Sequence, residues 1–204
     1  LMTLVDTINA RLRAVPAWPI YVVGAVPVVW LFWHGAAGNL GADPVKVIER
    51  QLGLLGLQMI VAGLCITPLR RFAGLNLIRY RRAVGLVAFF YILLHFATWI
   101  VLDMGLLWDQ ALADILKRPY VTMGMVGLAA LLPLALTSNN WSVRRLGAAA
   151  WQRLHRLTYL AAIAGVVHFL WLVKVWTVEP LAYAAAILGL LTIRLIPRRA
   201  RVTA

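Results

Sequence analysis

The chain has 204 residues, of which 63% are hydrophobic and 13% charged, and its mean hydropathy is +0.84. That composition excludes a soluble domain, and the length exceeds a single anchor, which leaves a polytopic membrane protein. One cysteine, Cys65, cannot build a disulfide framework or a thiolate metal site, so the four histidines are the main metal-binding candidates. A net charge of +13 suggests nucleic acid only until its distribution along the chain is read.

A bilayer core of about 30 Å needs roughly 20 apolar residues of helix. Six stretches come near that length: 17–35, 52–68, 83–102, 120–137, 157–175 and 180–197. The expected fold is therefore all-α, a single domain over 1–204 built as a six-transmembrane-helix bundle. Six crossings put both termini on one side. One set of alternate segments carries Arg11 and Arg13; Arg70, Arg71, Arg79, Arg81 and Arg82; Arg144, Arg145, Arg153 and Arg156; and Arg194, Arg198, Arg199 and Arg201. Those are 15 of the 20 basic residues, whereas six of the seven acids lie in the other set. Basic loops are retained in the cytoplasm, so both termini are expected to be cytoplasmic and the protein to lie in a bacterial inner membrane.

The N-terminal stretch LMTLVDTINARLRAVP is basic and amphipathic. The apolar run after it contains Pro19 and Pro27 and lacks a small-residue cleavage pattern, so it reads as a retained first helix and not as a signal peptide. His34 stands where that helix ends, in WHGAAGN, and reads as an interfacial residue. In the second helix Gly53, Gly56 and Gly63 suggest close helix packing. The following LRRFAGLNLIRYRR is either a plain charge anchor or a seat for anionic oxygens. Arg79, Arg81 and Arg82, with Arg153 and Arg156 further on, are candidates to hold a haem propionate, a flavin phosphate or a lipid headgroup.

The third helix carries His95 and the fifth carries His168. From Arg82 to His95 is 13 residues, roughly 20 Å of helix, and from Arg156 to His168 is 12, about 18 Å. The two imidazoles are thus expected at the same depth, in the outer half of the membrane. A histidine in such a segment needs a partner. One alternative is a hydrogen bond from each to a neighbouring helix. The matched depth favours the other, in which His95 and His168 ligate one haem iron from opposite faces. With both axial positions filled, such an iron moves electrons and does not activate oxygen.

The loop DMGLLWDQALADILKRP is the largest outer element, and its Leu106, Leu107 and Trp108 can lie on the membrane surface. The fourth helix returns the chain inside, where Trp141, Trp151 and Tyr159 fit an interfacial aromatic belt. The sequon at Asn140 would face the cytoplasm and carries no weight. His155 precedes His168 by 13 residues, roughly 20 Å, too far to share its iron. It is a candidate for a second haem, a flavin or a quinone, or it simply sits among arginines at the interface.

Taken together, six helices, a histidine in the third and the run His155, Arg156, Tyr159, His168, Phe169 in the fifth resemble the ferric-reductase-like transmembrane domain. RRAVGL, TSNNWSVRRLG and WQRLHRLTYL are similar to the MsrQ family within it, over nearly the whole chain. The resemblance implies haem b, with FMN and a second haem as further candidates. It also implies electron delivery from the quinone pool or a cytosolic flavin reductase to a periplasmic molybdoprotein that reduces protein methionine sulfoxide. Larger relatives carry two histidines on each of two helices, and this chain lacks one of those four. No Gly-rich dinucleotide fingerprint is present, so the electrons are expected from another molecule and no substrate chemistry is expected of this subunit alone. The alternatives are a quinone-linked cytochrome b serving another reductase and, in a different class, a transporter or structural anchor.

Overall fold

A computed structural model describes residues 3–196. Arg198, Arg199 and Arg201 of the basic set, and the expected end of the last helix at 197, lie outside those residues. Among the described residues there is no strand, and the helices are α1 (Leu4–Ala14), α2 (Trp18–Ala36), α3 (Pro44–Phe72), α4 (Arg81–Ala97), α5 (Trp108–Lys117), α6 (Pro119–Leu136), α7 (Asn140–Leu146), α8 (Ala148–Leu154), α9 (Leu157–Leu172) and α10 (Val178–Leu195). Six stretches are long and apolar enough to cross a membrane: α2, α3, α4 with its extensions, α6, α8 running into α9, and α10.

Several boundaries depart from the expected ones for local reasons. The second crossing begins at Pro44 and not near 52, because Asp43 caps it by accepting the Lys46 amide hydrogen at 3.0 Å, and Pro44 suits the first helical position. Lys46, Glu49 and Arg50, expected in a loop, therefore sit on the opening turns of α3. The third crossing ends at Asp103, beside the expected 102, with its last six residues, Thr98–Asp103, wound as a wide π-helical turn. The fifth ends at Leu172, where Val173 is extended.

The crossings form a four-helix core with two flanking helices. α4 packs along α3 and α9 along α6; α10 bridges α3 and α9, and α2 leans on α3 and α4. Apolar lipid gives no hydrophobic drive to helix pairing, so close contact depends on small residues. At Gly56 a Cβ would stand 2.4 Å from Ile92, and at Gly127 the facing atoms belong to Ala161, Ala164 and Gly165. Leu57, Ile60, Leu64, Leu131, Leu134 and Ile187 fill the centre.

Apart from the six spanning stretches, α1 opens with a capping box in which Thr3 and Asp6 exchange hydrogen bonds. The Thr3 hydroxyl and amide hold the Asp6 carboxyl below its usual range. The helix is strapped to the α3–α4 connection: Asn9 Nδ2 donates to the Gly74 carbonyl at 2.9 Å, and the Asn76 amide donates to Asn9 Oδ1 at 2.9 Å. Tyr80 adds a bond from its hydroxyl to the Leu12 carbonyl at 2.7 Å.

Pro68 lies inside α3 and cannot donate to the carbonyl four residues back, that of Leu64. Arg194 of α10 supplies the missing donor, with Nη2 2.8 Å from the Leu64 oxygen and its guanidinium 5.4 Å from the Tyr159 ring centre. Arg194→Leu is expected to destabilise the bundle by about 0.6–2 kcal/mol, the span found for interhelical bonds in membranes. In a Pro68→Ala background, where α3 recovers its own donor, the loss should shrink. Unfolding in mixed micelles measures both; strictly additive effects would contradict the pairing.

Candidate functional site

His95 on α4 and His168 on α9 face each other diagonally across the four-helix core, their ring centroids 6.0 Å apart and their planes at 78°. Each ring is held from behind by the helix beside it. His95 Nδ1 lies 2.8 Å from the Glu49 carbonyl oxygen of α3, and His168 Nδ1 lies 2.6 Å from that of Tyr120 on α6. A carbonyl only accepts, so Nδ1 carries the hydrogen on both rings. In a neutral imidazole the lone pair is then on Nε2. A carbonyl bond of this kind usually orients a metal-ligating histidine and raises its basicity.

The same four-residue spacing recurs on both supporting helices. Gly53 follows Glu49 by four residues and Gly124 follows Tyr120 by four. A Cβ at Gly53 would sit 3.1 Å from His95 Nδ1, and one at Gly124 would sit 3.0 Å from His168 Nδ1. The helical carbonyl keeps its own amide donor and offers its second lone pair to the ring. Glycine clears the path by which the ring reaches it. Gly53 was expected only to pack helices, and Gly124 and the two carbonyls carried no sequence signal. Backbone atoms have no signature, and a glycine reads alike whatever lies against it.

Two imidazoles bound to one metal from opposite sides, at metal–nitrogen bonds of about 2.0–2.1 Å, have centroids roughly 6 Å apart. The observed 6.0 Å fits that span. Among the described residues no group of three or more His, Cys, Asp or Glu side chains gathers to hold a metal. The pair thus suits a metal whose remaining positions belong to a macrocycle, as in bis-imidazole haem.

His155 stands at the break between α8 and α9, at the arginine-rich end of the bundle. Its ring stacks on Trp151 at 3.6 Å and 25°, and its Nδ1 donates to the Trp151 carbonyl at 3.0 Å. By the same logic Nε2 holds the lone pair, and this buried atom has no partner. Thr98 Oγ1, three residues beyond His95, is the other such atom among the described residues. His34 differs: its Nδ1 meets the Asn39 amide nitrogen at 3.4 Å, not a carbonyl, and its ring lies against Trp30.

The arginine candidates separate. Arg81 is exposed and within electrostatic reach of His155. Arg82 donates to Asn140 Oδ1 at 2.8 Å, and Arg79 donates to the Arg13 carbonyl. Arg153 and Arg156 are exposed on either side of His155 in sequence.

Comparison with known proteins agrees over most of the chain. The family described as "Ferric reductase like transmembrane component" matches residues 51–166. The "Protein-methionine-sulfoxide reductase heme-binding subunit MsrQ" of Brucella anthropi is 51% identical over 184 residues, 90% of this chain and 83% of the relative. The proteins of the same name from Brucella ovis and Brucella canis are each 52% identical over 178 residues, 87% of this chain and 80% of theirs.

Proposed function

The chain belongs to the MsrQ family of ferric-reductase-like membrane proteins, and from that membership we propose that it is the haem-carrying electron-transfer subunit of a protein-methionine-sulfoxide reductase. One observation carries the reading: His95 and His168 stand 6.0 Å apart, each with Nδ1–H committed to a carbonyl and Nε2 free for a metal. These two histidines are the axial ligands of a haem b. A haem so held accepts and gives up single electrons with no open position for substrate. The protein's part is to orient the two rings, keep their protonation fixed and exclude water from between the helices.

The arginine-rich end lies in the cytoplasm of a bacterial cell and the end with Asp103 in the periplasm, by the distribution of basic residues. His155, at the cytoplasmic end, serves a second cofactor, either a haem or an FMN; its buried, unpartnered Nε2 supports this. Arg81, Arg153 and Arg156 then meet the propionates or phosphate of that group, and Arg79 and Arg82, tied to neighbours, frame it. Electrons enter from the quinone pool or a cytosolic flavin reductase and leave to a periplasmic molybdoprotein. A transporter or anchor would have no use for two carbonyl-bound imidazoles facing each other across the core.

Oxidised and dithionite-reduced absorption spectra, with haem and flavin counted per chain, test this. Wild type from haem-replete cells should show a low-spin b-type spectrum with at least one haem. His155→Ala should lose one equivalent of haem or flavin and keep the low-spin pair. A colourless wild type would overturn the reading.

A further inference from the structure

A three-charge cluster stands at the end of the bundle nearest His95. Lys46 Nζ is 3.2 Å from Glu49 Oε2 and 2.6 Å from Asp103 Oδ2, and the two carboxylate side chains are only 17% and 21% exposed. Its place in the fold gives it a second meaning. Glu49 is the residue whose carbonyl holds His95 Nδ1. Asp103 closes the π-helical turn that begins at Thr98, three residues after His95 on the same chain. Lys46 therefore joins the carbonyl that orients the ring to the end of the helix that carries it.

We propose that Lys46 is a positioning residue for His95, clamping α3 to the outer end of the third crossing through Glu49 and Asp103. This rests on the haem reading above. An exposed ion pair contributes little, but a cation shared by two largely buried carboxylates on different helices acts mainly on geometry. Without it the two carboxylates repel across the gap. The wide π turn, held less tightly than an α-helix, is where the chain would yield. Among the described residues His168 has no equivalent. The residue before its supporting helix, Arg118, pairs at 3.3 Å with Asp114, only four residues away, and donates to the Tyr120 hydroxyl at 3.2 Å, at an exposed site. The clamp acts on one ligand.

The test uses the full-length, haem-loaded protein in detergent, with low-spin electron paramagnetic resonance and a redox titration for wild type, Lys46→Met, Lys46→Arg, Asp103→Asn and, as a charge control, Lys117→Met. Clamping predicts a several-fold loss or broadening of the low-spin signal in both Lys46→Met and Asp103→Asn, recovery in Lys46→Arg and no change in Lys117→Met. A charge felt only through space predicts something else. Losing the cation would favour the ferric form and losing the anion the ferrous form, by up to about tenfold each (~59 mV for one electron), with the low-spin signal intact. That pattern, or a Lys46→Met protein indistinguishable from wild type, overturns the proposal. If Lys46→Met does not fold, the exchanged pair Lys46→Asp with Asp103→Lys is read instead: a wild-type signal supports the clamp, and its absence overturns it. A wild type without haem contradicts the haem reading itself, whereas a wild-type spectrum untouched by these changes contradicts only the role of Lys46.

Discussion

His168→Ala is expected to abolish the low-spin haem spectrum, and His95→Ala to do the same. Loss of the group that hydrogen-bonds to a ligand costs roughly 10–100-fold in metal affinity, and loss of the ligand itself must cost more. The fold should survive, because the carbonyls of Tyr120 and Glu49 that accept from these rings sit within helices and keep their own amide donors. Helical circular dichroism should therefore be unchanged while haem per chain falls. Imidazole added to either alanine variant should restore the low-spin bands, since truncation leaves space where the ring stood. His34→Ala, whose ring has no carbonyl behind it, should keep the wild-type spectrum. Retention of the low-spin bands in either ligand variant without added imidazole would refute the ligand assignment.

The next largest effect should come from a single methyl group. Gly124→Ala places a Cβ 3.0 Å from His168 Nδ1, against a ring already bonded at 2.6 Å to the Tyr120 oxygen. The ring has to move by a few tenths of an ångström or give up that bond. Haem affinity should fall by about 10–100-fold, the cost typical of losing the bond that orients a metal-ligating histidine. Gly53→Ala should act in the same direction through His95, at 3.1 Å. Alanine is also the better helix former by about 1 kcal/mol, so the apo protein should unfold no more easily than wild type. Gly85→Ala, where nothing beyond its chain neighbours and its own helix backbone lies within 4 Å of the added carbon, separates the two effects: it gains the propensity and keeps the haem. Haem titration of apo protein, beside thermal unfolding, measures both. Equal haem affinity for Gly124→Ala and Gly85→Ala would count against the ring-support geometry.

Much of this architecture could be read before any coordinates, because the bilayer constrains it so strongly. A membrane crossing needs a minimum apolar length, and the six apolar runs correspond to the six spanning stretches. Residue counts from the flanking arginines put His95 and His168 at one depth, and their rings stand 6.0 Å apart. The start of α3 was harder. Lys46, Glu49 and Arg50 look like loop residues by hydropathy, whereas the local signal, Asp43 before Pro44, is a capping signal. The charge triad followed from that shift, since a helix brings Lys46 over Glu49 and points it at Asp103.

The supports of the two rings lay beyond a sequence reading for a different reason. Two readings of His95 and His168 stood as alternatives, a metal ligand or a hydrogen bond to a neighbouring helix. The structure has the hydrogen bond, and it uses Nδ1. That bond leaves Nε2 unengaged, so it does not exclude a metal ligand and the two readings are compatible. Only the three-dimensional pairing of Gly53 with His95 and Gly124 with His168 reveals this. The pairing occurs once in α3–α4 and again in α6–α9, which makes the site a near-repeat of one device.

The electron paramagnetic resonance spectrum of the purified ferric protein tests the central claim most directly. Imidazole planes at 78° predict the strongly anisotropic low-spin signal of near-perpendicular axial ligands, lost in both His95→Ala and His168→Ala. A high-spin signal in wild type, or a low-spin signal indifferent to both substitutions, would contradict the account.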